Sequence, residues 1–346
     1  MPPTVTIRDV ARYAGVGVGT VSRVLNGSPS VSQGTRRRVQ AVIEELNFQP
    51  SPIARRLSLG KTLNVAVIVP FFTEPVFVER LRGIEHALAE SEYDLVLFNV
   101  ESVSRRDDCF RNVARRERID GLLITSLAPW DEDAHRWLEA QVPTVLIDAR
   151  HPALNRLVVD DVEGGRVATD HLLQLGHRKI GFVSDYLEDP FGFVSSLDRF
   201  EGYYMALEAA DVPFRPEYHR QGIHSREHAK RLAIQLLTLP DRPTAIFAAS
   251  DTQAMGVLAA ARELGFRVPE DLSVIGYDDI DAADFLNLTT MRQPSFELGV
   301  EGVRLLLEAI EQPGKEPEEI LFSTELIVRQ TTAAPLTISN GRRGLQ

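Results

Sequence analysis

The sequence predicts a small all-α head followed by an α/β core made of two doubly wound parallel sheets. Residues 6–50 carry apolar side chains at helical spacing, interrupted by turn signals. From residue 63 onward, short apolar runs typical of buried strands alternate with helical stretches. Repeated strand–helix–strand units favour parallel sheets. Residues 63–332 are numerous enough for two such sheets with a cleft between them.

Composition is that of a soluble globular protein: 346 residues, of which 44% are hydrophobic and 25% charged. No apolar run is long enough to span a bilayer, and the first residues lack the apolar core of a signal peptide. The single cysteine, Cys109, excludes an internal disulfide framework and a zinc cluster built on cysteines. We therefore expect a cytoplasmic protein without a metal or cofactor.

The charge is divided unevenly along the chain. Residues 1–62 hold nine Lys or Arg and three Asp or Glu, a net charge of +6, whereas the whole chain carries −11. The remainder is therefore strongly acidic. A basic head on an acidic body predicts that one end of the protein binds DNA.

Three helices are predicted in the head. A capping box formed by Thr6 and Asp9 starts the first, and Gly15 ends it at the tight corner of a helix-turn-helix. The second, residues 18–26, buries two valines and leaves its other face for a partner. The third starts at the cap Ser32 and has an apolar stripe. This arrangement presents the second helix to a DNA major groove.

A fourth, short helix is predicted after the head. Residues 51–52, Ser-Pro, suit the cap and first position of a helix that covers only residues 53–57. A helix of that length is unstable alone in water, so it is expected to form only against a partner. Arg55 and Arg56 beside Leu57 suit phosphate contact together with an apolar wedge in a minor groove.

These residues resemble the DNA-binding and hinge region of the lactose-repressor (LacI/GalR) family of bacterial transcription regulators. The matching motifs are T-I-x-D-V-A-x-x-A-G-V, T-V-S-R-V-L-N, T-R-x-x-V, E-L-x-F-x-P and A-R-x-L. The resemblance implies that the second helix reads the major groove and that Leu57 enters the minor groove. Gly19 has no side chain where many relatives carry a polar or methyl group. The implied DNA contacts are Thr6, Val18, Gly19, Thr20, Ser22, Arg23, Asn26, Ala54, Arg55 and Leu57.

The core resembles the effector-binding core of the same family, which is itself similar to periplasmic sugar-binding proteins. Its motifs are L-G-H-R-K-I-G-F at 175–182, R-P-T-A-I-F at 242–247, D-T-Q-A-M-G at 251–256, V-P-E-D-L-S-V-I-G-Y-D at 268–278 and L-T-T-M-R-Q-P at 288–294. Strands are predicted at 64–70, 94–99, 121–125, 143–148, 179–184, 245–250 and 272–278, and at 320–329, which crosses back to complete both sheets.

The implied organisation has four parts. They are a headpiece at 1–50, a hinge at 51–62, a core at 63–332 and a flexible tail at 333–346. The core divides into a first subdomain, about 63–159 and 291–320, and a second, about 160–290 and 321–332. The tail lacks a leucine heptad, which favours a homodimer over a coiled-coil tetramer.

Ligands of open parallel sheets bind beyond the carboxyl ends of the strands. Three polar residues stand at such ends, and Arg199 opens a helix that can reach the same cleft. Carboxylates and an arginine suit the vicinal hydroxyls of a sugar, and phenylalanines after the first strand could stack on its apolar face. The family alignment supports several of these positions. The expected effector contacts are Phe72, Phe77, Asp148, Arg199, His224, Ser250 and Asp278.

The resulting hypothesis is a homodimeric repressor of carbohydrate uptake or catabolism genes, released from a pseudo-palindromic operator by a mono- or disaccharide. A purine or nucleoside corepressor is the alternative; it would need stacking aromatic rings and amide donors. An exported solute-binding protein would lack the basic head. A sugar-modifying enzyme would turn its ligand over, and no G-x-S-x-G, H-E-x-x-H or P-loop motif is present.

Overall fold

The computed structural model describes residues 5–48, 61–114 and 119–336. Its contacts divide the chain into two compact units, residues 1–63 and 64–346. We call the first unit the head and the second the core, and describe each by itself. The division falls where the sequence changes from helical spacing to alternating strands and helices.

The head contains the helices α1 (Ile7–Ala14), α2 (Val18–Leu25) and α3 (Gln33–Glu45). The Asp9 carboxylate accepts a hydrogen bond from the Thr6 N–H at 3.0 Å, which starts α1 as predicted. Gly15 ends α1 in the left-handed region, with φ of 64°. Ser32 caps α3, since its hydroxyl accepts from the Thr35 N–H at 3.4 Å.

An apolar face of each helix contributes to one shared head core. Burial of a valine or leucine side chain contributes about 1.5–3 kcal/mol, so a few such residues hold together helices that are too short to be stable alone. Because the apolar faces point inward, α2 keeps its opposite face toward solvent. The buried residues are Val10, Ala11, Ala14, Val21, Val24, Val39 and Phe48.

The first lobe of the core is built around a parallel sheet. Its strands are β1 (Asn64–Pro70), β2 (Asp94–Val100), β3 (Gly121–Thr125), β4 (Thr144–Ile147) and β5 (Asn155–Val159). Its helices are α4 (Pro75–Leu88), α5 (Val103–Asn112) and α6 (Asp131–Glu139).

The second lobe repeats this pattern. Its helices are α7 (Asp161–Gln174), α8 (Ser195–Ala209), α9 (Arg226–Leu237), α10 (Asp251–Glu263) and α11 (Asp281–Phe285). Its strands are β6 (Ile180–Asp185), β7 (His219–Gly222), β8 (Ala245–Ala248), β9 (Ser273–Asp278) and β10 (Thr289–Arg292).

The last elements connect both lobes. Helix α12 (Ser295–Glu311) packs on α4 of the first lobe, and β11 (Glu319–Phe322) pairs with β5. Strand β12 (Glu325–Ile327) pairs antiparallel with β10. The strand orders are β11-β5-β4-β3-β1-β2 and β12-β10-β9-β8-β6-β7. The predicted fold class, a helical head and two doubly wound sheets, is confirmed.

The strands predicted between 64 and 278 are present, with each end within two residues of its prediction, but three strands were missed. Strands β5, β7 and β10 have the sequences NRLVV, HRQG and TTMR, which lack the continuous apolar run that identifies a buried strand. The strand predicted at 320–329 is two strands, one in each sheet. Position in the sheet, not local composition, makes these segments strands.

Helices α7 and α8 touch through their backbones at two glycines. A Cβ on Gly202 would lie 2.0 Å from the carbonyl oxygen of Val162, and a Cβ on Gly165 would lie 2.3 Å from that of Arg199. Any larger residue would push the helices apart. This close approach brings Asp161, at the start of α7, beside Arg199 on α8.

The chain after β12 is pinned to the second lobe. The ring nitrogens of His177 lie 2.8 Å from Thr244 Oγ1 and 2.9 Å from the carbonyl oxygen of Ala333. Burial lowers the pKa of His177, so that its ring is neutral at pH 7. Ala333, which the sequence assigned to the flexible tail, is therefore held in place. Residues 337–346 lie outside the described part of the chain.

Candidate functional sites

The predicted DNA-contacting residues of the head all lie outside its buried core. Val18 is 42% exposed at the start of α2. The Thr6 hydroxyl donates to Asp9 at 2.7 Å, so it is engaged in the helix cap. The exposed members of the set are Thr6, Val18, Gly19, Arg23 and Asn26, and the half-buried members are Thr20 and Ser22. Ala54, Arg55 and Leu57, with the rest of the predicted hinge helix, lie outside the described residues.

Gly19→Ala should stabilise the head and change its base preference. No atom lies within 4 Å of a Cβ built on Gly19, and alanine is favoured over glycine inside a helix by about 0.8–1.0 kcal/mol. The added methyl group lies on the face predicted to contact DNA and should alter discrimination at one base pair of each half-site by about 1–3 kcal/mol. Thermal unfolding and selection from a randomised operator library measure the two effects.

Gly34→Ala is the matched control, since Gly34 on α3 also has open space around its Cβ position. It should leave the selected operator unchanged. If Gly19→Ala selects the same bases as the unmodified protein, α2 does not present position 19 to DNA.

In the core, four strands have a residue of positive φ at their carboxyl end. These residues are Phe71 after β1 (42°), Ser126 after β3 (53°), Asp148 after β4 (57°) and Asp278 at the end of β9 (114°). Such conformations cost about 1–3 kcal/mol each in a residue other than glycine, and they cluster at functional sites. All four lie at the carboxyl ends of parallel strands, where ligands of such sheets bind.

On the first lobe, Asp148 belongs to a buried charged group. Its carboxylate accepts from Ser126 Oγ at 2.8 Å and from Arg80 Nη2 at 3.2 Å. Arg80, on α4, is 1% exposed and also donates to Ser126 Oγ at 2.8 Å. The sequence analysis predicted Asp148 but missed Arg80, because a single arginine on an amphipathic helix is normally a surface residue.

The predicted phenylalanines are placed differently from expectation. Phe77 is buried, and the Arg80 guanidinium carbon lies 5.7 Å from its ring centroid. Its ring therefore supports Arg80 and is not open for stacking on a ligand. Phe72 is 38% exposed, and its N–H donates to Asn99 Oδ1 at 3.3 Å. The ring of Phe71, in contrast, contacts a ring of the second lobe.

On the second lobe, Arg199 is buried and contacts several polar groups. It donates from Nε to Asp161 Oδ1 at 2.9 Å and from Nη1 to the carbonyl oxygen of Ala249 at 2.6 Å. Its guanidinium lies 3.7 Å from the ring centroid of Tyr277, and Nη1 lies 3.7 Å from Asp278 Oδ1. Arg199 therefore lies against the carboxylates of the cleft floor, and its contact with an effector stays a prediction.

Asp278 lies at the centre of this floor. Its Oδ1 accepts from Gln293 Nε2 at 2.6 Å, and burial raises its pKa. Burial, followed by the neighbouring charge of Asp278, raises the pKa of Asp251 still further. Asp251 accepts from the Ile280 N–H at 3.0 Å and from Thr290 Oγ1 at 2.7 Å. These two carboxyl groups resist simultaneous ionisation.

Ser250 has a structural role as a helix cap. The Ser250 hydroxyl accepts from the Gln253 N–H at 3.2 Å and caps α10. With its hydroxyl in the cap and only 5% of its surface exposed, Ser250 is a poor candidate for direct effector contact.

A second polar group stands at the end of β6. Asp185 accepts from Gln253 Nε2 at 2.9 Å, from Ser196 Oγ at 3.2 Å and from His224 Nδ1 at 3.1 Å. His224 Nε2 lies 3.9 Å from Glu74 Oε2 of the first lobe. His224 was predicted, whereas Asp185 and Gln253 were missed. The signal for Asp185 was its position directly after the predicted strand 179–184.

His224 carries a positive charge at neutral pH. Desolvation alone would lower its pKa, but the hydrogen bond and charge of Asp185, with the charge of Glu74, raise the pKa to about 9. The ion pairs of protonated His224 therefore stabilise the folded protein fully below the ordinary histidine pKa of about 6.5. This stabilisation is lost as the pH rises through 9.

The cleft offers a ligand several hydrogen-bond acceptors, and the Nε donor of Arg80 and the hydroxyls of Tyr277 and Ser295 are also buried without a partner among the described residues. Its cations are already paired with carboxylates, as described above for Arg80, Arg199 and His224. Two side-chain amides donate to carboxylates and leave their carbonyl oxygens buried without a partner among the described residues; these are Gln253 and Gln293. A ligand rich in hydroxyl or N–H donors would satisfy them and the carboxylates of Asp148, Asp185 and Asp278.

Residues 5–48, 61–114 and 119–336, which the structure describes, show neither a metal-ligand cluster nor a membrane-spanning helix. In these ranges, no group of three or more His, Cys, Asp or Glu side chains could hold a metal ion. Within the same ranges, no helix is both long and apolar enough to cross a membrane. Cys109 is buried in the first lobe, where burial raises the pKa of its thiol.

Two family profiles match the chain. Residues 6–51 match the profile described as bacterial regulatory proteins, lacI family, and residues 169–332 match a periplasmic binding protein-like domain. The first match covers the three head helices, and the second covers most of the second lobe and the last connections.

Whole-chain relatives agree with these profiles. The HTH-type transcriptional repressor PurR of Photobacterium profundum is 34% identical over 94% of this chain and 98% of its own length. A crystal structure of the lac repressor dimer bound to operator and the anti-inducer ONPF is 30% identical, with a TM-score of 0.82, over 96% of this chain and all of that one. A complex of the transcriptional regulator CelR with cellobiose is 32% identical, with a TM-score of 0.70, over 94% and 99%.

Proposed function

Because the chain belongs to the LacI family, whose members are ligand-responsive DNA-binding repressors and not enzymes, we propose that it is a homodimeric repressor controlled by a sugar. In this proposal α2 and the segment around Leu57 bind a pseudo-palindromic operator. Binding of a mono- or disaccharide in the cleft releases the protein from the operator. The regulated genes would then serve carbohydrate uptake or catabolism.

The observation that carries the sugar assignment is the group of hydrogen-bond acceptors in the cleft. Asp148 on the first lobe faces the same cleft as Asp185 and Asp278 on the second, with Gln253 and Gln293 beside them. Neighbouring hydroxyls of a sugar can donate to neighbouring acceptors, and a carboxylate is a strong acceptor. The relative CelR, crystallised with cellobiose, supports the same class of ligand.

Control of DNA binding follows from where these acceptors lie. A ligand that bonds to Asp148 on one lobe and to Asp278 on the other binds more tightly when the lobes are close. It therefore shifts the population toward that arrangement, by an amount set by its unequal affinity for the two. The position of the lobes would be transmitted to the hinge segment that follows the head.

A purine or nucleoside acting as corepressor is the second candidate, and the PurR relatives favour it. The cleft has two amide side chains and an aromatic residue, Phe71, as that hypothesis requires. However, the amide N–H groups of Gln253 and Gln293 already donate to Asp185 and Asp278. Only their carbonyl oxygens remain, so these two amides can accept from the N–H groups of a base but cannot donate to its ring nitrogens.

A homodimer is supported by apolar side chains exposed on both lobes. β2 is the edge strand of the first sheet and exposes Leu95 and Leu97. On the second lobe, Ile223 is 63% and Phe285 is 86% exposed. Large apolar residues clustered at a sheet edge are typical of an interface. Light scattering after size-exclusion chromatography should give the mass of two chains.

The proposal is tested with a ligand panel of D-glucose, cellobiose, D-ribose, adenine, hypoxanthine and guanosine. Calorimetry identifies which compound binds the full-length protein, and gel shifts with a selected operator show how it changes DNA binding. We expect a sugar to bind and to weaken operator binding. Binding by a purine that strengthens it would establish the second candidate instead.

A further inference from the structure

The three chain crossings between the lobes lie on one side of the core. They run from β5 to α7, from β10 to α12 and from β11 to β12. Strands β5 and β11 end one side of the first sheet, and β10 and β12 end the corresponding side of the second. The opposite sides are formed by β1 and β2 and by β6 and β7. A cleft hinged at the crossings therefore has its mouth beside β2 and β7.

Residues 186–194, which we call the strap, connect β6 to α8 at this mouth. Both flanking elements belong to the second lobe, yet the strap contacts the first. Arg106, on α5, donates from Nη1 to the carbonyl oxygens of Pro190 at 3.2 Å and Phe191 at 2.9 Å. Arg106 is 4% exposed, so these charge-assisted bonds are shielded from water.

Aromatic packing adds to this contact. The rings of Phe191 and Phe193 are stacked with centroids 5.6 Å apart, and both pack against the apolar core of the first lobe. Phe191 also lies 5.4 Å from Phe71, centroid to centroid. The strap has its own turn, in which the Asp189 carboxylate accepts from the Phe191 N–H at 2.7 Å. It is thus a preformed element docked on the opposite lobe.

We propose that the strap is a lid over the effector cleft and that Arg106 holds it shut. Effector entry and release then require the strap to undock. This inference rests on the proposed function, because it assumes that an effector binds in this cleft. Arg106 acts as a positioning residue: it holds the lid and does not touch the effector.

Other contacts allow the lid to open while the lobes stay together. Arg150, after β4, pairs with Asp198 on α8 at 2.9 Å, and His224 lies between Asp185 and Glu74. These ion pairs join the lobes independently of the strap. Undocking therefore exposes the mouth of the cleft without full separation of the lobes, and it sets the rates of association and dissociation more than the affinity.

The first test needs no effector. Hydrogen–deuterium exchange of the ligand-free, full-length protein should be at least about tenfold faster at the strap amides of residues 187–189 and 191–193 in Arg106→Met than in the unmodified protein. Arg105→Met, an exposed neighbour on α5, is the matched control and should exchange normally. Phe191→Ala removes the aromatic packing that docks the same strap and replaces Arg106→Met if that variant does not fold. Unchanged exchange in these variants overturns the proposal.

The second test uses whichever compound of the six-member panel binds. Stopped-flow association and dissociation rates should both rise at least about tenfold in Arg106→Met, with a smaller change in Kd, and should not change in Arg105→Met. Faster strap exchange with unchanged ligand rates overturns the lid role. If no compound binds, the proposed effector class fails, and strap exchange alone decides whether Arg106 holds the strap.

Discussion

Arg199→Met should destabilise the core by about 3–5 kcal/mol at pH 7.5, because it leaves a buried carboxylate without its cation. Asp161 loses its 2.9 Å partner, and Asp278 loses the nearest positive charge. Methionine keeps the apolar length of the side chain, so the loss is mainly electrostatic. Urea unfolding followed by tryptophan fluorescence reports on the core, since Trp130 and Trp137 both lie in the first lobe.

The stability lost in Arg199→Met should be smaller at pH 5 than at pH 7.5. Burial, opposed by the Arg199 charge, raises the pKa of Asp161 to about 6. A carboxyl group with a raised pKa in the folded protein binds a proton there more readily than in the unfolded chain, so stability rises as the pH falls through that value. Without Arg199 this pKa rises further, and protonation removes the buried charge.

The double variant Arg199→Met/Asp161→Asn supplies the control for this interpretation. It removes both charges of the pair and should recover a large part of the lost stability, because a neutral pair is not penalised by burial. An Arg199→Met protein within about 1 kcal/mol of the unmodified one would show that this ion pair does not hold α7 against α8.

Asp278→Asn should weaken effector binding by about 2–3 kcal/mol, or roughly 30- to 150-fold, while operator affinity without effector stays within about threefold. The substitution removes a charged acceptor from the cleft floor but keeps its size and its bond to Gln293. It also removes a charge that raises the pKa of Asp251, so the fold should not be weakened. Calorimetry and gel shifts measure the two affinities.

Asp211→Asn is the matched control for this variant. Asp211 is also an aspartate at positive φ, 52°, but it is exposed in the turn after α8. Its substitution should change neither affinity. If Asp278→Asn binds effector as tightly as Asp211→Asn, then Asp278 is not an effector contact, and the cleft floor serves only the fold.

Local signals predicted much of this protein. Thr6 and Asp9 start α1, Gly15 ends it and Ser32 caps α3, because a cap depends on residues within three or four positions. Strands β1 and β3 coincide with their predictions, since a continuous apolar run identifies a strand buried on both faces. The ends of the strands predicted at 143–148 and 272–278 placed Asp148 and Asp278 at the cleft.

The sequence by itself determined the helix and strand periodicity, the caps and the basic head on an acidic core. The tertiary structure decided which charges meet. Arg80 reaches Asp148 across 68 positions of the chain, and Arg199 reaches Asp161 across 38. It also decided that the strap rests on Arg106. Such pairings depend on how helices and sheets pack, and no local pattern records the distance between residues that are far apart in the chain.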